Sequence, residues 1–150
     1  MYDRPMASYA KRTWWTRHGL SERVQDERFL EAAVTGAFVI SAADGTSSEQ
    51  EYDALLDRLE LLGGVDRDRI DELLAAAARD LEASGFEGRI AHIADLVEDR
   101  DAAEAVLIVA MAIALADDDV SAEEREMVTQ LAAGLGLPDV DLDAMIRDLA

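Results

Sequence analysis

Ala42-Ala43-Asp44-Gly45-Thr46-Ser47-Ser48-Glu49-Gln50-Glu51 and Ala116-Asp117-Asp118-Asp119-Val120-Ser121-Ala122-Glu123-Glu124 are the two stretches that decide the fold. In each, an apolar run with helical spacing ends at Ala-Asp, the chain turns, and a Ser precedes a Glu by three residues. Ser48 with Glu51 and Ser121 with Glu124 read as capping boxes, in which the hydroxyl accepts the Glu amide and the carboxylate accepts the Ser amide. Asp44 and Asp117 stand 73 positions apart (117 − 44). At the same offset Ala37 falls on Ala110, Ile40 on Ile113, Leu62-Gly63 on Leu135-Gly136, and Asp66 and Asp68 on Asp139 and Asp141. Two copies of a helix–acidic loop–helix hairpin explain the offset. Two copies are too few for a solenoid, so a closed domain is expected.

Working outward, the pattern predicts an all-α fold, a single compact bundle of about seven or eight helices. A short helix is expected near 8–18, and a second from Ser21 or Asp26 through Phe29, Ala33, Phe38 and Ile40 to Ala43. The third carries Leu55, Leu56, Leu59 and Leu62 and stops at Gly63-Gly64. Asp66 caps a fourth, with Ile70, Leu73, Leu74 and Ala77 inward, that ends at Ser84-Gly85. A fifth covers about 87–98, and the charge cluster 98–101 separates it from a central sixth at 102–116. The seventh runs from Ser121 through Met127, Val128, Leu131 and Leu135 to Gly136 and Pro138, and Asp141 or a neighbour caps a short last helix.

Composition bounds the function. A chain of 150 residues, half of them hydrophobic, has the size of one globular domain. It contains no cysteine, which excludes disulfides and thiolate metal sites. The net charge of −19 is uneven: residues 1–24 carry five basic and two acidic side chains, +3, which leaves −22 on residues 25–150. The chain therefore divides into a basic N-terminal segment, 1–24, and an acidic helical domain, 25–150. Such a domain repels phosphate backbones, so nucleic acid is excluded as a partner. No apolar stretch follows the basic N-terminus as a signal peptide requires. The longest apolar run, 102–116, spans only about 22 Å as a helix against a ~30 Å hydrocarbon core. A soluble, cytoplasmic protein is expected.

The loop carboxylates are the candidate site. Asp44 and Asp117 end their helices at the negative pole of the macrodipole, an unfavourable place for a carboxylate unless a cation offsets it. Glu51 and Glu124 lie in the next helical turn, and Asp118 and Asp119 add charge to the second loop. An all-oxygen set of this kind suits a hard divalent cation, calcium above all. The competing reading is that Asp-Gly only turns the chain and each Glu only completes its box. Neither loop is an EF-hand: counted from Asp117, Ala122 stands where Gly is obligatory and Val128 where a bidentate Glu belongs. Fewer ligands place the expected affinity at about 10⁻⁵–10⁻³ M.

Trp14-Trp15 among Lys11, Arg12 and Arg17 suits either weak contact with an anionic membrane surface or docking onto the acidic bundle. His18 and His92 are the only histidines, and His92 falls on a helix as a partly buried residue. No nucleophile elbow, phosphate loop, zinc-binding His pair or dinucleotide fingerprint is present, and Gly134-Leu135-Gly136 reads as a helix stop. The chain is read as no enzyme.

These loops, with Leu131-Ala132-Ala133-Gly134-Leu135-Gly136-Leu137, resemble the TerB family of tellurite-resistance proteins from about Phe29 to Asp143. The resemblance implies an all-α fold, two acidic clusters that bind metal, a role in tellurite and other chemical stress, and association with the inner face of the membrane through an integral membrane partner, TerC. The family's acidic motif maps onto Asp44 and Glu51, and onto Asp117 and Glu124. One departure is Asp118, where the family usually has Gly. The expected function is a non-enzymatic, cation-binding stress-response module, the alternative a metal-independent acidic scaffold for a basic partner. Chemistry on tellurium oxyanions ranks last, because the acidic body repels an anion and no cysteine is present to reduce one.

Overall fold

The computed structural model describes residues 19–45, 49–60, 65–115, 120–137 and 140–149. Every regular element among them is an α-helix: α1 (Leu20–Arg23), α2 (Glu27–Ser41), α3 (Glu49–Glu60), α4 (Arg67–Leu96), α5 (Arg100–Ala114), α6 (Ala122–Gly134) and α7 (Leu142–Leu149). The all-α expectation holds. The helix expected at 8–18, the Trp14-Trp15 segment and the Gly63-Gly64 stop lie outside the described residues, as does Ser48 of the first capping box.

α2 and α5 form the centre. Val34, Ala37, Val39 and Ile40 of α2 and Val106, Leu107, Val109, Ala110 and Met111 of α5 are shielded from solvent, and buried side chains point from every face of both helices. A helix that is apolar all round has to be enclosed by others. α2 packs on α4, α5 and α6, while α5 also meets α3, α6 and α7. The two central helices approach closely because small residues face each other. A Cβ placed on Gly36 would stand 3.1 Å from the Ala110 Cβ and 3.6 Å from Leu131 Cδ2.

These helices run side by side in the same general direction. Arg23, just before α2, pairs with Asp101 in the first turn of α5, which joins their N-terminal ends. Gly36 and Ala110 then meet near their C-terminal ends. Asp26 caps α2 by accepting the Arg28 amide at 2.9 Å and the Phe29 amide at 3.3 Å. Asp99 caps α5 through the Ala102 amide at 2.8 Å. This corrects the expected start at 102: the 98–101 cluster supplies the cap and first turn of α5, and does not act as a spacer. The capping aspartates are 73 residues apart (99 − 26), and the 15-residue helices begin and end at that same offset (100 − 27, 114 − 41).

The helices around this pair are held by local chemistry. Asp66 caps α4 through the Asp68 amide at 3.2 Å, and Asp141 accepts the Ala144 amide at 3.1 Å. The break expected at Ser84-Gly85 occurs inside one helical run, as a kink where Gly85 takes φ 71° and ψ −178°. Beyond it, α4 is pinned to α2 by two residues three apart. Arg28 donates to the Asp95 and Leu96 carbonyls at 2.8 and 3.4 Å, and Glu31 meets His92 Nε2 at 2.5 Å. α6 ends in a Schellman turn: the Leu137 amide donates to the Ala132 carbonyl at 2.8 Å and the Gly136 amide to Ala133 at 3.0 Å. α1 brings Leu20 and Val24 into the same core.

Two tests follow from this packing. Gly36→Val should destabilise the protein by about 1–3 kcal/mol in urea unfolding, because three added carbons meet Ala110 and Leu131 across this close seam. The second concerns Tyr52 on α3, whose hydroxyl donates to Asp71 Oδ1 on α4 at 2.8 Å. Burial, then this bond and the charges of Asp71 and Asp53, push the phenol from 10.0 to about 12. The folded state thus holds its proton more tightly than the unfolded state. The stability this adds is complete below the ordinary value of 10.0 and is lost as pH rises toward about 12. Tyr52→Phe should flatten that part of the stability–pH curve.

Candidate functional site

Because α2 and α5 are parallel neighbours, both acidic loops leave from the same end of the central pair. At the first, α2 finishes with the Ala42 amide on the Phe38 carbonyl at 2.9 Å, and the Gly45 amide returns to Ala42 at 3.0 Å. Asp44 is exposed on this turn, and Gly45 takes φ 78°. α3 opens at Glu49, with Glu51 in its first turn. The Glu51 side chain lies outside the described residues, as do Thr46, Ser47 and Ser48.

At the second loop, Asp117, Asp118 and Asp119 lie outside the described residues. The far side is sharply defined. Ser121 Oγ accepts the Glu124 amide at 3.0 Å, and Glu124 Oε1 accepts the Ser121 amide at 2.9 Å, completing the predicted capping box. Glu124 thus has one carboxylate oxygen engaged in opening α6. Among the described residues no three Asp, Glu or His side chains gather as a cation site would need. Of the six expected ligands the structure describes the side chains of Asp44 and Glu124, and among the described residues neither belongs to a group of three such side chains.

The donor chemistry still fits a hard cation. The loop residues offer oxygen alone, and the described imidazole, His92, is tied to Glu31 across the α2–α4 contact. One participant was missed by sequence reasoning. Arg58 of α3 is half-buried, and its Nη1 donates to the Ile113 carbonyl at 3.3 Å in the last turn of α5. A cation therefore already stands at the negative end of the helix that leads into the second loop. No signal in the sequence joins positions 55 apart in this way.

A crevice of about 290 Å³ lies at the opposite end, where α1 and the starts of α2 and α5 meet the end of α4. Glu22, Asp26, Glu98 and Asp99 face Arg23 and Arg28 across it, and both capping aspartates border it. Its charged groups are largely engaged in capping and pairing, which makes it a seam between helices. No helix among the described residues is long and apolar enough to cross a membrane.

Comparison with known families places these features together. The family described as Tellurite resistance protein TerB matches the chain over residues 22–147, from α1 into α7 and across both acidic loops. No curated protein and no solved structure gives a match.

The capping box makes a direct test of local structure. Ser121→Ala removes the acceptor for the Glu124 amide and should cost about 0.5–2 kcal/mol in denaturant unfolding. Thermal melting followed by circular dichroism should show the loss as an earlier melt with an unchanged helical spectrum before it.

Proposed function

This chain belongs to the TerB family, and on that premise we propose that it is a non-enzymatic, cation-responsive stress module. Asp44 and Glu51 in the first loop, and Asp117, Asp118, Asp119 and Glu124 in the second, are the groups that take up divalent metal, calcium above others. Bound cation neutralises the end of the bundle where both loops leave and changes which partner that end accepts. The stress is exposure to tellurite and related chemical agents. The partner is an integral membrane protein of the TerC type, met at the inner face of the membrane, with Trp14 and Trp15 adding at most weak contact with the lipid surface.

The observation that carries this reading is the parallel seating of α2 and α5. It directs two acidic loops, equally spaced from equivalent helices, toward one end of a domain already strongly acidic. The matching 73-residue offset of the Asp26 and Asp99 caps supports an origin by duplication of one helix–loop–helix hairpin. A second reading, a metal-independent acidic scaffold for a basic partner, draws support from Glu124. One of its carboxylate oxygens is occupied by the Ser121 amide, as a purely structural residue's would be.

Isothermal titration of the metal-free protein with calcium, magnesium, manganese and zinc separates the two. The cation reading expects saturable calcium heat with a dissociation constant of about 10⁻⁵–10⁻³ M, and a rise in melting temperature. Heat with zinc and none with calcium or magnesium sinks it. Asp44→Asn combined with Asp117→Asn should abolish calcium binding. The same change should leave the metal-free fold intact or raise its stability by roughly 0.3–1 kcal/mol, since a carboxylate at a helix C-terminus opposes the dipole. Unfolding of that double variant without metal would make the aspartates structural.

A further inference from the structure

The crevice at the start of the central helices sets four carboxylates and two guanidinium groups around an apolar patch. Both guanidinium groups are committed, Arg23 to Asp101 and Arg28 to the Asp95 and Leu96 carbonyls. The carboxylates keep most of their capacity. Among the described residues Asp26 and Asp99 cap through Oδ1 alone, and the exposed Glu22 and Glu98 side chains make no hydrogen bond or ion pair. Leu96 and Val97, from the end of α4, are only half-buried there and offer apolar surface beside the acids. At about 290 Å³ the space is at the small end of ligand pockets and suits side chains better than a cofactor.

The chain enters the bundle beside this crevice. Leu20 is fully buried, and a Cβ built on Gly19 would stand 3.6 Å from Glu22 Oε2. One of the unpaired carboxylates therefore lies against the point where residues 1–18 join the bundle. That segment carries Arg4, Lys11, Arg12 and Arg17 against Asp3, a balance of +3, and both tryptophans of the protein. Trp15 precedes Gly19 by four residues (19 − 15), at most about 14 Å of chain. An indole is a large apolar surface with one N–H donor, which matches half-buried Leu and Val next to a carboxylate oxygen.

We propose that the crevice is the docking site of the chain's own segment 11–17, with one indole of Trp14-Trp15 over Leu96 and Val97. Lys11, Arg12 and Arg17 face Glu22 and Glu98. The occupant is this segment because it is tethered, which gives it an effective concentration of the order of mM, and because its charge is opposite to that of the crevice. An anionic membrane has to compete for the same side chains while repelling the −22 carried by residues 25–150. Docking thus withholds the Trp pair from lipid. The inference uses the end of the bundle opposite the acidic loops and is independent of their metal.

The test uses the full chain, which has no cysteine and only these two tryptophans. A nitroxide on a single introduced cysteine is therefore unique, and tryptophan emission reports the segment alone. Gln25→Cys puts this short-range quencher beside the crevice on an exposed, uncharged position, and Glu123→Cys puts it at the loop end, in the first turn of α6. The 15-residue central helices, about 22 Å long, separate the two. The label at 25 should quench most of the emission and the label at 123 little of it. Glu22→Lys with Glu98→Lys removes two exposed pairs, which should lower the docked-to-free ratio roughly two- to thirtyfold and restore emission. Salt at 1 M, where the Debye length is about 3 Å, should do the same and decides the matter if that variant does not fold. Reversing Glu123 and Glu126 instead makes the same change in net charge and should leave the quench in place. Co-sedimentation with phosphatidylserine–phosphatidylcholine vesicles should rise in the crevice variant above that control. Equal quenching by the two labels, or a quench at 25 that neither the crevice variant nor salt weakens, overturns the inference. No quench at 25, with equal vesicle binding by the crevice variant and its control, overturns it too and gives the Trp pair to the membrane.

Discussion

Everything in this molecule depends on two apolar helices lying against each other in parallel, with Gly36 and Ala110 at the seam. Their surfaces are buried on nearly every side, so neither can exist alone in water, and the other helices are the sheath that completes them. Parallel neighbours cannot be joined by a short turn. The chain that leaves α2 at the loop end has to travel back to the opposite end before α5 can begin. α3 and α4 make that journey, and α4 finishes at the crevice bordered by Asp26 and Asp99. The long connection is thus the geometric cost of bringing two acidic loops to one end.

Charge follows a similar logic. Many described arginines are occupied across helix contacts: Arg23 with Asp101, Arg67 with Asp57 and Glu60, Arg69 with Glu27, Arg125 with Asp143, and Arg28 with the carbonyls that end α4. Each exposed pair adds little to stability. With 33 acidic side chains against 14 basic ones, acidic groups remain in the majority after every such pairing. A body so charged repels itself as well as anions, and its compactness rests on the apolar centre.

Much of this was legible in the sequence, for identifiable reasons. Caps at Asp26, Asp66 and Ser121 and the stop at Gly134-Leu135-Gly136 are local chemistry, written within four residues of where they act. The start of α5 was misread because Asp99 sits in a run of charges, where a capping aspartate looks like any other solvated acid. Arg58 was invisible: an exposed-looking arginine on an amphipathic helix gives no sign that it reaches a carbonyl on another. The candidate ligands were legible as a pattern of residue types, but the pattern fits a helix opening as well as it fits a metal. At Glu124 the helix opening accounts for at least one of the two carboxylate oxygens.

The kink in α4 sets the mechanical character of the sheath. A straight helix of 30 residues would run about 45 Å, twice the span of the 15-residue helices beneath it, and would carry one end out into water. Breaking the ladder at Gly85 turns one lever into two short ones that share no continuous column of hydrogen bonds. The first is fastened through Tyr52 of α3 and through Arg69 to Glu27 at the start of α2, the second through Arg28 and Glu31 further along α2. Fraying at the Asp66 end loosens the Arg69–Glu27 pair but stops at the break, so the turns that Arg28 and Glu31 hold beyond Gly85 can stay locked.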